Sequence, residues 1–277
     1  MIDRITEQPF CQTRVSSSRG CLVQMFNQGT KENFNKNRRE GKNMFSYYGS
    51  KSKIVDYYPP PKHKRIIEPF AGSARYSLKY WQNDILLVDK YPLIIDVWHY
   101  LQQATVKDIK GLPELKEGDN INNYNITEQE RNLLKFCIVQ GSASGQNTPS
   151  SQYCLRNIHK QNINRIVANL HKIKHWKIIH GSYEDLENEE ATWFVDPPYM
   201  FGGEYYKESN KNINFQTLAE WCKNRNGQTI VCENTKANWL DFKPLRQIQG
   251  ARNTKTVEAI WSNHKTNYDA VQQTLQF

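Results

Sequence analysis

The tetrapeptide Asp196-Pro197-Pro198-Tyr199 directly follows an apolar run, Trp193-Phe194-Val195. Two successive prolines fix φ and remove two backbone donors. The carbonyl of Pro197 is then available to something other than the chain. At the carboxyl end of a parallel strand, such a turn opens into the crevice where α/β proteins bind ligands. A carboxylate, a fixed carbonyl and an aromatic face match an exocyclic amine: two acceptors for two N–H groups, and a ring to stack on the base. A rigid strand-ending turn with a core tyrosine is the competing reading, and the tetrapeptide alone does not decide between them. A second constellation is Glu68-Pro69-Phe70-Ala71-Gly72-Ser73-Ala74. Small residues here let a ligand approach the backbone near a helix N-terminus. Asp89 stands seventeen residues after Gly72, close to the spacing at which an acid meets ribose hydroxyls. The glycines do not form GxGxxG, which disfavours a dinucleotide and a nicotinamide oxidoreductase.

These residues need strands to carry them. Residues 64–68 read as a short strand stopped by Pro69, and 84–89 place four apolar residues between two acids, the pattern of a strand buried on both faces. After Pro92, which suits a first helical turn, Leu93, Val97, Trp98 and Leu101 recur at helical spacing. Strand, turn, helix, repeated, argues for a parallel sheet with crossover helices. Residues 104–127 break the pattern. A helix capped by Thr127 and Glu130 runs to about 140, a loop covers 141–151, and a helix is expected over 162–174. Further strands are expected at 176–180, 192–195, 228–232 and 256–261, with a helix over 215–223. The result is an α/β core interrupted between about 104 and 160.

The 277 residues carry 37 Lys plus Arg against 28 Asp plus Glu, a formal net charge of +9. A chain this basic often meets a polyanion. No stretch approaches the roughly 20 apolar residues of a membrane span, and the first residues lack a secretory apolar run, so the expected compartment is the cytoplasm. None of the six cysteines forms a CxxC pair, so reduced thiols are expected and no metal site. His171 and His175 have no adjacent glutamate in the HExxH manner and read as a solvated helix face. Residues 1–43 hold eight cations against four acids. That segment is either a basic arm on phosphate, with Arg38 and Arg39 at its centre, or a loosely ordered extension.

Taken in order, these motifs resemble the amino-methylating DNA methyltransferases, specifically adenine-N6 enzymes of the Dam type (the α group), over most of residues 45–262. Phe45 to Lys51 resembles their N-terminal cofactor motif, with Tyr47 and Lys51 as its candidates. Glu68 to Ala74 is similar to FxGxG, giving Glu68, Phe70, Ala71 and Gly72, with Ala74 where the second glycine belongs. Asp89 resembles the ribose-binding acid, Ser182-Tyr183 the segment lying against the cofactor's adenine, and Asp196 to Tyr199 the DPPY catalytic motif, in which Asp196 also borders the cofactor.

The resemblance implies a Rossmann-like core over 44–103 and 161–277 and a mostly helical target-recognition insertion over 104–160. It implies S-adenosylmethionine (AdoMet) as cofactor and double-stranded DNA as partner, and it leaves room for a restriction endonuclease partner. In this reading Asp196 and Pro197 accept the two N–H groups of an adenine flipped out of the duplex, and Tyr199 stacks on it. No Pro-Cys dipeptide exists in the chain, which excludes the covalent cytosine-C5 route. Asn147 and Arg156 carry side chains suited to base edges, and residues 202–207, with Tyr205 and Lys207, read either as a mobile segment able to close over a base or as an ordinary polar loop. Cytosine-N4 methylation, RNA methylation and a non-catalytic nucleic-acid-binding relative remain as alternatives.

Overall fold

The computed structural model describes residues 43–139, 141–249 and 255–264. The basic arm, with Arg38 and Arg39, lies outside them. In chain order the described helices and strands are β1 (Arg65–Glu68), α1 (Arg75–Lys79), β2 (Asp84–Asp89), α2 (Pro92–Gln103), α3 (Val106–Lys110), α4 (Glu128–Cys137), α5 (Ser151–Leu155), α6 (Ile158–Asn169), β3 (Lys177–His180), β4 (Ala191–Val195), α7 (Phe215–Lys223), β5 (Gly227–Asn234), β6 (Lys243–Gln249) and β7 (Lys255–Ser262). The strands form one seven-stranded sheet in the order β3-β2-β1-β4-β5-β7-β6. β1 to β5 run parallel, and β7 is antiparallel to both β5 and β6. Strand order reverses between β1 and β4, which makes their carboxyl ends the topological switch point. This is an α/β, Rossmann-like methyltransferase fold.

Alternation along the strands explains the layering. Ile66, Ile85, Leu87, Phe194, Ile230 and Cys232 enter one apolar cluster, while Ile67, Leu86, Val88, Trp193, Val195 and Val231 enter the other. Period-two side chains on a sheet covered on both faces must divide this way. α1, α2, α4 and α6 supply the first cluster and α7 the second. Each fully buried aliphatic side chain contributes roughly 1.5–3 kcal/mol relative to exposure.

The interrupting region is not cored separately. Leu133, Leu134 and Phe136 of α4 join the same cluster as Trp98 of α2, and the Phe136 ring lies 5.7 Å from those of both Phe45 and Tyr47. The expected boundary at 160 falls within α6.

Several elements differ from expectation for local reasons. α6 begins at Ile158, not 162, and gives way to a 3-10 turn at Leu170–Lys172. α3 lies inside the stretch read as broken, started by a Thr105–Asp108 capping box. β6 carries Pro244, Arg246 and polar residues, so it lacks a strand signature; it is an edge strand, where proline is tolerated.

Candidate functional site

The motif residues converge because each ends a parallel strand. Glu68 closes β1, Asp89 closes β2 and Asp196 follows β4. A cavity is bounded by residues 47–51, 68–75, 89–91 and 181–184, together with Asp196, Pro198 and Tyr206. Tyr47, Lys51, Glu68, Phe70, Ala71, Gly72, Asp89, Ser182, Tyr183 and Asp196 therefore all line it. Pro197 is buried and Tyr199 half-buried beside it.

The glycine loop is shaped by backbone sterics. Gly72 and Ala74 adopt left-handed φ values of 44° and 45°. A Cβ on Gly72 would come within 3.1 Å of the Tyr47 ring, so only glycine lets that ring lie so close. Trp98 donates its indole N–H to the Gly72 carbonyl at 2.9 Å, tying the loop to α2. Ala74 occupies a conformation that costs a non-glycine residue roughly 1–2 kcal/mol.

Three acids of the cavity are pushed up by burial. Asp89 reaches about 6, although amides of Gly72 and Tyr91 oppose the shift. Glu68 reaches about 8: burial outweighs the Ser77 amide, which donates to Oε1 at 2.6 Å. Asp196 reaches about 6, with burial and Glu258 pushing up against the pull of Lys51.

Asp196 is not bare. The Lys51 ammonium lies 2.7 Å from its Oδ1, 3.2 Å from the Gly49 carbonyl and 4.7 Å above the Tyr199 ring centroid. Burial works against that ammonium, but Asp196 and Glu258 hold its pKa above the usual lysine range.

Two buried acids went unread in the sequence. Glu258 of β7 accepts hydrogen bonds from the hydroxyls of Tyr58 and Tyr199. Glu233 of β5 accepts from the amides of Met200 and Asn234, each at 2.8 Å, and from the Trp239 indole. Glu233 thereby fixes the loop that follows the catalytic motif. Glu258 sits inside the strand-like run 256–261, and an acid embedded in such a run was the available signal; Glu233 directly follows the run 228–232.

The segment after the motif is anchored through Tyr206. Tyr206 donates its hydroxyl to the Tyr48 carbonyl and packs on Tyr47 and Tyr48. A Cβ on Gly203 would stand 2.3 Å from the Tyr199 carbonyl oxygen, so the turn closes tightly. Internal bonds and packing hold this segment. Tyr205 stays 67 % exposed, edge-on to Tyr48, and Lys207 is exposed. Asn147 and Arg156 are exposed away from the cavity wall. His175 faces the Asn83 carbonyl and His171 the Trp81 ring.

The cavity fits AdoMet by the chemistry of its walls. Arg75 is buried, yet its Nε and Nη1 make no hydrogen bond among the described residues, and burial lowers its pKa to about 10. A buried guanidinium with unused donors suits a carboxylate. Phe70 and Tyr183, with ring centroids 5.5 Å apart, offer flat apolar surface.

A family model described as D12 class N6 adenine-specific DNA methyltransferase matches residues 47–268. Among solved structures, "Putative methyltransferase yhhF from Escherichia coli" is similar at 8% identity, covering 76% of this chain and 78% of that one, with a TM-score of 0.29. A search of curated protein sequences finds no match.

Proposed function

The chain belongs to the D12 class of N6 adenine-specific DNA methyltransferases, and from that premise we propose how its residues divide the work. The enzyme transfers a methyl group from AdoMet to N6 of adenine in DNA. The family's adenine specificity sets aside the cytosine-N4 alternative. When bound, AdoMet supplies a methyl group activated by its sulfonium.

Arg75 would meet the cofactor's carboxylate, Asp89 its ribose, and Phe70 with Ser182-Tyr183 its adenine. Tyr47 backs the Gly72 loop. Glu68, on the same cavity, would meet the cationic part of the cofactor. The target base is flipped from the duplex, at a cost of a few kcal/mol. Its amine donates to the Asp196 carboxylate and the Pro197 carbonyl, while Pro198 holds the turn and Tyr199 offers a stacking face. Two acceptors favour a more tetrahedral nitrogen, whose lone pair can then attack.

The observation that carries this reading is the position of Asp196: a carboxylate at the switch point, on the wall of the cavity that Gly72 and Asp89 also line. The test is transfer of labelled methyl from AdoMet to defined duplexes, followed by nucleoside analysis. N6-methyladenine made by the wild type but not by Asp196→Ala supports the assignment. Full turnover by Asp196→Ala overturns it.

We assign target recognition to residues 104–160, with Asn147 and Arg156 on base edges, and phosphate contacts to Tyr205, Lys207, Arg38 and Arg39. A restriction endonuclease reading the same sequence is the proposed cellular counterpart, and the cytoplasm the proposed compartment. Among the described residues, no helix is long and apolar enough to cross a membrane.

A further inference from the structure

The ion pair between Lys51 and Asp196 sets the direction of the Asp196 carboxylate. Oδ1 of Asp196 is engaged by an ammonium at 2.7 Å, which leaves Oδ2 as the oxygen to accept an N–H from the base. A second carboxylate stands beside that ammonium. Glu258 Oε1 lies 3.9 Å from Lys51 Nζ, and Glu258 is 4 % exposed. Tyr58 and Tyr199 fix that oxygen in place, Tyr58 at 2.6 Å. Two hydroxyls satisfy part of the carboxylate's hydrogen bonding. They do not balance its charge; among the described residues Lys51 is the one cation within 4 Å of it, with Arg246 its cross-strand neighbour on β6.

We propose that Glu258 is a positioning residue for methyl transfer: together with Asp196 it holds the Lys51 ammonium, and so keeps the Asp196 carboxylate turned with Oδ2 toward the adenine amine. The proton stays on Lys51 throughout. The inference rests on Asp196 being the amine acceptor. The antiparallel strand β7 makes the arrangement available. It pairs Glu258 with Asn234 at the carboxyl end of β5, bringing a distant carboxylate to the edge where β1 and β4 end.

Asp196 is faced by Lys51, by Glu68 of β1, by Tyr58, by Cys232 of β5, by Glu258 of β7, and by Tyr199 and Tyr206 of the loop that follows it. Of these, Glu258 pushes its pKa up and Lys51 pulls it down.

The test combines steady-state kinetics across pH with AdoMet calorimetry on the full chain. The variants are Glu258→Gln, Lys51→Met, their double and Asp196→Ala. Glu258→Gln keeps an oxygen for the tyrosines and removes the charge. It is expected to leave AdoMet affinity within about twofold and to lower kcat on the order of 10- to 100-fold, the usual cost of losing a group that orients a reacting one. It also moves the acidic limb of the kcat profile to lower pH, whereas Lys51→Met moves it to higher pH. Once Lys51 is gone Glu258 has no ammonium to hold, so the double variant is expected to be no slower than Lys51→Met alone. Additive losses in the cycle, or an unmoved acidic limb in Glu258→Gln, overturn the proposal. Turnover by Asp196→Ala instead overturns the acceptor assignment beneath it. If Glu258→Gln does not fold, Glu258→Asp, which withdraws the charge from Lys51, takes its place in the same cycle, with the same non-additivity expected.

Discussion

The carboxylate of Asp89 accepts the amide N–H of Gly72 at 2.9 Å through Oδ2. One acid at the end of β2 thus fixes the glycine turn after β1, while its Oδ1 holds the amide of Tyr91 at the start of α2. A residue expected to meet ribose also builds the loop beside which the ribose would lie. Asp89→Asn is expected to lower the melting temperature as well as AdoMet affinity, because the amide keeps one acceptor oxygen for the two N–H groups and turns a donor NH2 toward the other. Thermal melts and calorimetry on the same preparation check this; a change in affinity alone would assign Asp89 to the ligand only.

Asp196→Ala should abolish turnover and spare AdoMet binding. Loss of one acceptor to the reacting group costs on the order of 10²–10³ in rate by analogy with oxyanion-hole deletions. Single-turnover assays measure it.

The pH profile follows from the same carboxylate. Asp196 accepts an N–H only when ionised, and its pKa is pushed up to about 6. Activity is therefore expected to fall as pH drops through about 6, above the usual carboxylate range. A profile flat down to pH 5 would contradict this.

Glu68 should register in proton linkage. Its folded pKa of about 8 lies above the ordinary glutamate value of roughly 4.3, so the fold favours its protonated form. That contribution to stability is fully present below ~4.3 and is lost as pH rises through about 8. Glu68→Gln is accordingly expected to flatten the decline in stability across that window. Cationic AdoMet beside Glu68 should favour ionisation, releasing up to about one proton at pH 7. Calorimetry in buffers of different ionisation enthalpy detects it, and the release should vanish in Glu68→Gln.

Ala74→Gly is expected to stabilise the protein. The left-handed φ of 45° costs alanine roughly 1–2 kcal/mol, and glycine's greater freedom in the unfolded chain offsets part of the gain. Denaturant titration decides. No gain, or a loss, would mean that the Ala74 methyl contributes more through burial than its backbone costs.

Arg156→Ala or Asn147→Ala should weaken discrimination at one base pair by ~1–3 kcal/mol. Neutralising Arg38 and Arg39 should instead weaken all duplexes alike and flatten the salt dependence. Titrations on cognate and scrambled DNA at two salt concentrations separate these roles.

Asp84 to Asp89, Thr192 to Val195 and the Thr127–Glu130 cap were legible because each is a local pattern: an apolar run between polar ends, or a side chain reaching its own backbone. The site motifs were legible for a related reason. A residue that ends a parallel strand reaches the switch point wherever the rest of the chain goes, so Glu68, Asp89 and Asp196 could be read one at a time. Their being local also hid what surrounds them. Nothing near Lys51 in sequence says that its ammonium rests on Asp196, 145 residues away. Nothing near Tyr58 says that its hydroxyl meets Glu258 across 200 residues. Strand β6 stayed hidden because an edge strand can keep proline and charge. The packing of α4 against Phe45 and Tyr47 depends on how an interrupted chain folds back onto its first motif. Local side-chain chemistry and period determined the strands and the carboxylates that end them; sheet order, and the reversed direction of β7, decided which buried charges stand around Asp196.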